Sequence, residues 1–284
     1  MRILALLLPL LLLGACASTQ VGDAAPALHR GALVAAAQTQ DVFAETNRSA
    51  RAVDIERVLL RADVSDAGLP RIEEADFEPV VDPETAAQWA AIFDAITGYT
   101  GSLVRLTDPV LAASVGDQLQ LVGTNFGRLA GPPSARVGKV SAVVGALGEA
   151  IVSARAERTA AGVVRRTDPA FQELVAAMAD ALGADDASGL RGTVADQWSR
   201  AMLPALATRF GREPPAHRRA IAGEYVEALD GRDRALSAFA RLRQALLSLG
   251  AAHQAAAMEN PASAAAWIDR LERVSDDIAR RMGR

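Results

Sequence analysis

Apolar residues recur three or four positions apart through most of this 284-residue chain, and nowhere does a run alternate apolar with polar residues as a half-buried strand would. A chain patterned this way buries its apolar side chains along helix faces that pack on one another. Hydrophobic residues make up 50% of the chain and aromatic ones only 4%; the difference is alanine and leucine. Alanine is the best helix former, and its small side chain lets helix axes approach closely. The expected fold is therefore all-α: an alanine-rich multi-helix bundle of roughly seven helices, several of them long, with no sheet.

Punctuation divides the helices. From Ala27 to about Asp63 an intermittent apolar stripe predicts one long helix with a possible break near Asn47 to Ser49. Ser65 to Asp82 is irregular and acidic, with Phe77, Val80 and Val81 expected to pin it. Its acidic residues lack the spacing of a calcium loop. Asp82-Pro83 starts a helix as N-cap and first-turn proline. The triplets Thr107-Asp108-Pro109 and Thr167-Asp168-Pro169 read as two further restarts, Thr193 as a cap, Pro204 as a kink, and Pro214-Pro215 and Asn260-Pro261 as the starts of the last two helices. Residues 134–158 combine Gly138, Gly145 and Gly148 with a valine-rich run, which suits close helix crossing. Lys139, Glu149 and Arg155 interrupt that run well short of a membrane-spanning length, so a buried helix is expected there.

The N-terminus follows a different logic. Arg2 precedes an apolar run from Ile3 to Leu13 that is too short to span a bilayer and has the length of a signal-peptide core. It ends in Leu13-Gly14-Ala15-Cys16, and Cys16 is the only cysteine in the chain. These four residues resemble the lipobox of bacterial prolipoproteins at every position. The resemblance covers residues 1–16 and implies cleavage between Ala15 and Cys16, with a diacylglyceryl group on the Cys16 thiol. Residues 1–15 are then a removed signal peptide, 16–26 a flexible tether, and 27–284 an all-helical domain with a possible sub-division near 160–168. Ala17 after the cysteine is not the aspartate that retains such proteins at the inner membrane. The implied location is the cell envelope, at the periplasmic face of the outer membrane in a Gram-negative host.

Chemistry is harder to find. The three histidines, His29, His217 and His253, are far apart in sequence, and no metal-ligand spacing, nucleophile motif or phosphate loop occurs. Asp185-Asp186 reads as a solvated loop, and His217, Arg218 and Arg219 at a helix start as salt-bridge partners. No catalytic residue, metal ligand or cofactor is expected. A net charge of −4, with Lys139 as the only lysine, disfavours nucleic acid. The expected function is a non-catalytic binding, scaffold or accessory role at the membrane, through the lipid and an envelope protein partner. Two alternatives are a membrane-inserting protein using 134–158 and a small-ligand binder or enzyme without a local motif.

Overall fold

The computed structural model describes residues 8–64, 72–108, 110–129 and 138–281; the side chains of 8–23, 60–64, 138, 139, 141 and 281 lie outside it. Among the described residues the chain is all-α, with nine helices and no strand. They are α1 (Leu8–Val64), α2 (Pro83–Leu106), α3 (Val115–Leu129), α4 (Gly138–Ser153), α5 (Ala160–Leu182), α6 (Gly189–Gln197), α7 (Leu203–Arg212), α8 (Pro215–Ala257) and α9 (Pro261–Arg281). The sequence predicts roughly seven; one of the extra helices arises because the short α6 and α7 merge by periodicity into one.

Helix α1 is 57 residues long and α8 is 43, and together they form the spine of the bundle. α1 packs on α2, α8 and α9; α8 packs on α5 and α9; and α3 and α4 pair with each other beside α2 and α5. A single buried cluster runs from Ala24 to Ile278 and joins residues on both sides of 160–168, through which α5 passes unbroken. The packing is as thin as the alanine content implies. Ala24, Ala32 and Ala35 of α1, Ala245 and Ala252 of α8 and Ala264 of α9 are all fully buried or within 1% of it.

Several local expectations need correction. α1 is helical through 16–26, the stretch read as a tether, and Ala24 and Ala25 are already buried. Pro26 lies inside the helix on its exposed side, where water can satisfy the carbonyl left without a donor. The helix does not break at Asn47. The Asn47 side chain faces the connector, donating from Nδ2 to the Val81 carbonyl at 2.8 Å and accepting from the Val81 N–H at 2.9 Å. An amide that competes with its own helix when exposed here clamps a neighbouring segment instead. Val80 and Val81 are buried as expected, whereas Phe77 is only half-buried and Asp76 is the buried member of its turn.

The two Thr-Asp-Pro triplets have different fates. Thr107 ends α2, and the chain turns through Val110 before a short 3₁₀ turn leads into α3. Thr167-Asp168-Pro169 lies within α5, whose N-cap is Thr159, accepting from the Gly162 N–H at 3.2 Å. Thr193 sits inside α6, which begins after Ser188. A π-helical turn at Trp198–Met202 joins α6 to α7, next to Pro204, which has no N–H to give to the preceding turn. Asp82, Gly183 and Asn260 sit at their helix ends as expected: Asp82 accepts from the Thr85 N–H at 2.7 Å, and Asn260 from the Ser263 N–H at 3.0 Å. Gly183 closes α5 at φ 100°, a conformation that favours glycine.

The glycine-rich segment turns one face of its described part into the core. Val140, Val144, Leu147 and Ile151 of α4 are buried. α3 and α4 meet backbone to backbone, since a Cβ on Gly148 would lie 2.7 Å from the Gly123 carbonyl oxygen and 2.9 Å from the Phe126 Cβ. Neither atom can swing away. Gly148→Ala should therefore destabilise by about 1–3 kcal/mol through overpacking, despite a helix-propensity gain of roughly 1 kcal/mol. Gly127→Ala, on the same helix pair with no atom within 4 Å of the added carbon, should gain about 0.5–1 kcal/mol. Urea unfolding of the two variants, with opposite signs expected, tests the crossing.

Candidate functional site

The N-terminal candidates are placed only in part. Leu13, Gly14, Ala15 and Cys16 lie on the helical backbone of α1, but their side chains fall outside the described residues, so the Cys16 thiol has no described surroundings.

Elsewhere, the structure assembles a polar group that sequence spacing hides. Tyr99 of α2, Thr167 and Asp168 of α5, and His253 of α8 meet in the interior. The Tyr99 hydroxyl lies 2.9 Å from His253 Nε2 and 2.6 Å from Thr167 Oγ1, and His253 Nδ1 lies 2.8 Å from Asp168 Oδ1. Phe171 stacks on the imidazole, with ring centroids 4.1 Å apart and planes 11° from parallel. Gln172 donates from Nε2 to Asp168 Oδ1 at 2.8 Å and to the Gly250 carbonyl at 2.9 Å, tying α5 to α8 a second time.

The protons can be assigned from this geometry. Tyr99 and His253 are completely buried, and burial drives the imidazole pKa below its ordinary value, against the pull of the neighbouring Asp168. A neutral ring then donates from Nδ1–H to Asp168 and accepts at Nε2 from the Tyr99 O–H. With its own proton directed at Nε2, the Tyr99 oxygen can only accept from Thr167, whose single hydroxyl proton is then shared between Tyr99 and the Val163 carbonyl 2.9 Å away. Burial pushes the Tyr99 phenol well above its usual range, so it stays protonated. For Asp168, burial raises the carboxyl pKa, but hydrogen bonds from His253 and Gln172 outweigh this and hold it below the ordinary carboxylate range. Both ring nitrogens of His253, the Tyr99 and Thr167 hydroxyls and Asp168 Oδ1 all have partners within the group.

An aligned carboxylate, imidazole and hydroxyl has the parts of a general-base relay. Here the hydroxyl end points at Thr167 rather than into a cleft, and neither Tyr99 nor His253 exposes any surface to a substrate. What the arrangement does is join three helices through polar groups that are costly to leave unpaired.

The other sequence candidates are brought to no common place. His29 Nδ1 lies 3.1 Å from Thr100 Oγ1, and His217 pairs with Glu213 at 3.2 Å on the surface. Arg218 donates to the Glu213 carbonyl at 3.0 Å and sits over the Phe210 ring, in keeping with a structural role for the basic helix start. Asp185 accepts from the Ser188 hydroxyl and the Ala187 N–H, which lower its pKa, and Asp186 pairs with Arg191 at 2.6 Å. No group of three or more potential metal ligands occurs among the described residues. A cleft of about 360 Å³ opens between α1, α8 and α9, lined by Glu45, Thr46, Ser49 and Arg241, well away from His253 along α8.

The buried network generates two expectations. Tyr99→Phe removes the hydroxyl and strands His253 Nε2, while Thr167 keeps its bond to the Val163 carbonyl, so it should cost about 1–3 kcal/mol by urea unfolding. The pH dependence follows from the same assignment. The unfolded chain takes up a proton on His253 below about pH 6.5 while the folded chain resists it, so stability is full above that pH and falls on acidification. Melting followed from about pH 7.5 to 5 should show this loss, and His253→Gln, less stable at neutral pH, should lose less over the same interval. A melting temperature that rises on acidification would show that the ring is held as imidazolium.

No protein-family model matches the chain, and neither a curated protein nor a solved structure does so; what the chain does must be argued from its own residues.

Proposed function

We propose that this chain is a lipid-anchored protein of the cell envelope, exported by its N-terminal segment, that acts by binding other macromolecules rather than by catalysis. The carrying observation is Leu13-Gly14-Ala15-Cys16 at the end of an apolar run in a chain with no other cysteine. A thiol is the best nucleophile among side chains near neutral pH, and two or more acyl chains exceed what stable membrane attachment requires.

Two features support the binding role. The relay-like constellation of Tyr99, His253 and Asp168 is sealed inside the bundle, where it holds helices together. α8, one of the helices it joins, is 43 residues long and exposes most of its first half, a surface of the kind used to bind partners. Membrane insertion by 134–158 is the weaker reading, because Val144, Leu147 and Ile151 are already committed to the core. No helix among the described residues is long and apolar enough to cross a membrane.

Metabolic labelling with radioactive palmitate, combined with membrane fractionation, tests the anchor. Wild type should carry label and sediment with membranes, and Cys16→Ala should do neither. A Cys16→Ala protein that still sediments with membranes would remove the anchor. Crosslinking in intact envelopes then tests the binding role: a protein captured in near-equal amount supports it, and a chain recovered uncrosslinked opposes it.

A further inference from the structure

The direction of each helix shows which end of the bundle faces the anchor. The contacts His29–Thr100 at 3.1 Å, Tyr99–Thr167 at 2.6 Å and Tyr99–His253 at 2.9 Å set residues 29, 99–100, 167 and 253 at one height. Below that height α2 ends at Leu106, α5 begins at Ala160 and α8 ends at Ala257. Each terminus is four to seven residues away, or about 6–10 Å. The start of α3, directly after the turn that follows α2, comes against the turn before α5, since a Cβ on Gly116 would lie 3.4 Å from the Arg155 carbonyl oxygen. An Arg165–Glu259 ion pair joins the start of α5 to the turn between α8 and α9. All three turns therefore close the same end.

Of the described helices, α1 alone continues past this end. Counting seven residues back from His29 puts residue 22 level with the turns, and α1 stays helical beyond it to Leu8. Six residues separate that level from Cys16, or about 9 Å of helix. The polar layer on each side of a bilayer is about 5–8 Å deep. A lipid on Cys16 would thus bring the three turns down to the headgroups.

Two of those turns carry apolar side chains that the fold leaves exposed. Val110 is 84% exposed, Met258 71% and Leu111 44%. Val110 is held outward by a fixed turn, its N–H donating to Asp108 Oδ1 at 2.8 Å while the Leu111 and Ala112 N–H groups donate to the Asp108 carbonyl. Arg105 and Arg158, both exposed, add positive charge at this end, while Arg166–Glu157 and Arg165–Glu259 pair internally. Apolar tips flanked by arginine suit the boundary between anionic headgroups and acyl chains.

We propose that this end of the bundle, with Val110, Leu111 and Met258 at its tips, seats in the headgroup layer of the membrane that holds the Cys16 lipid, so that the bundle stands upright on it. The proposal rests on the anchor reading. Met258 is itself the probe. The lipidated full-length mature protein is reconstituted into phosphatidylethanolamine vesicles containing one-quarter phosphatidylglycerol and footprinted with hydroxyl radicals, with the Cys16→Ala protein in the same vesicles as reference. Labelling of Met258 and Leu111 should fall by about 5-fold or more in the lipidated protein, while Phe210, 42% exposed toward the opposite end, stays unchanged. An acylated N-terminal peptide, with Met258 labelled as in the reference, would overturn the seating and leave the anchor intact. An N-terminal peptide without acyl mass would overturn the anchor, and the seating with it.

Discussion

The registration of α8 with α5 and α2 depends on one neutral imidazole having both its nitrogens occupied. His253 sits where three helices converge, under the face of Phe171, with no surface left for water. An apolar residue there would ask only for volume. A histidine asks in addition for a carboxylate on one side and a hydroxyl on the other, at fixed distances, and Asp168 and Tyr99 can supply these only if α2, α5 and α8 take one mutual height. In a core built largely of alanine and valine, where many sliding registers bury similar area, such a demand for partners discriminates between registers better than apolar contact can.

The same registration reaches the rest of the molecule through α1 and the α3–α4 pair. His29 meets Thr100, the residue after Tyr99, so the spine is indexed to the polar junction by one further bond. At the other end of α2, Trp89 packs edge-on against Phe43, and the connector is clipped to α1 by Asn47. Arg209 of α7 reaches Glu56 at 2.6 Å and Glu224 at 3.1 Å, joining α1, α7 and the early part of α8. Glycine sets the α3–α4 distance, and polar pairs set heights; the two devices divide the work of fixing an otherwise featureless helical core.

Much of the architecture was legible in the sequence, because helical periodicity, proline and capping residues are local signals. Asp82, Gly183, Pro215 and Asn260 mark helix ends where expected. The errors arose where a local signal had a tertiary use. Asn47 looks like a breaker, yet its amide is spent on Val81; Thr167-Asp168-Pro169 looks like a helix start, yet its Thr and Asp side chains turn inward to Tyr99 and His253. The polar junction itself was not legible. The helix-to-helix pairs among Tyr99, Thr167, Asp168 and His253 stand 68 to 154 positions apart, and each residue has an ordinary explanation when taken alone. The Cys16 motif is the reverse case, clear in sequence while its side chain lies outside the described structure.

Helix α1 also acts as a measure of length. From Cys16 to Glu56, where α7 docks, it runs forty residues without interruption, or about 60 Å. A flexible leash would let the far end of the bundle wander through a hemisphere and dilute its effective concentration at any one height. A continuous helix fixed at one end by the proposed lipid would hold Phe210 and its neighbours in a narrow shell above the membrane. Whatever meets that tip must lie in the same shell, so the chain would select partners by altitude before it selects them by chemistry.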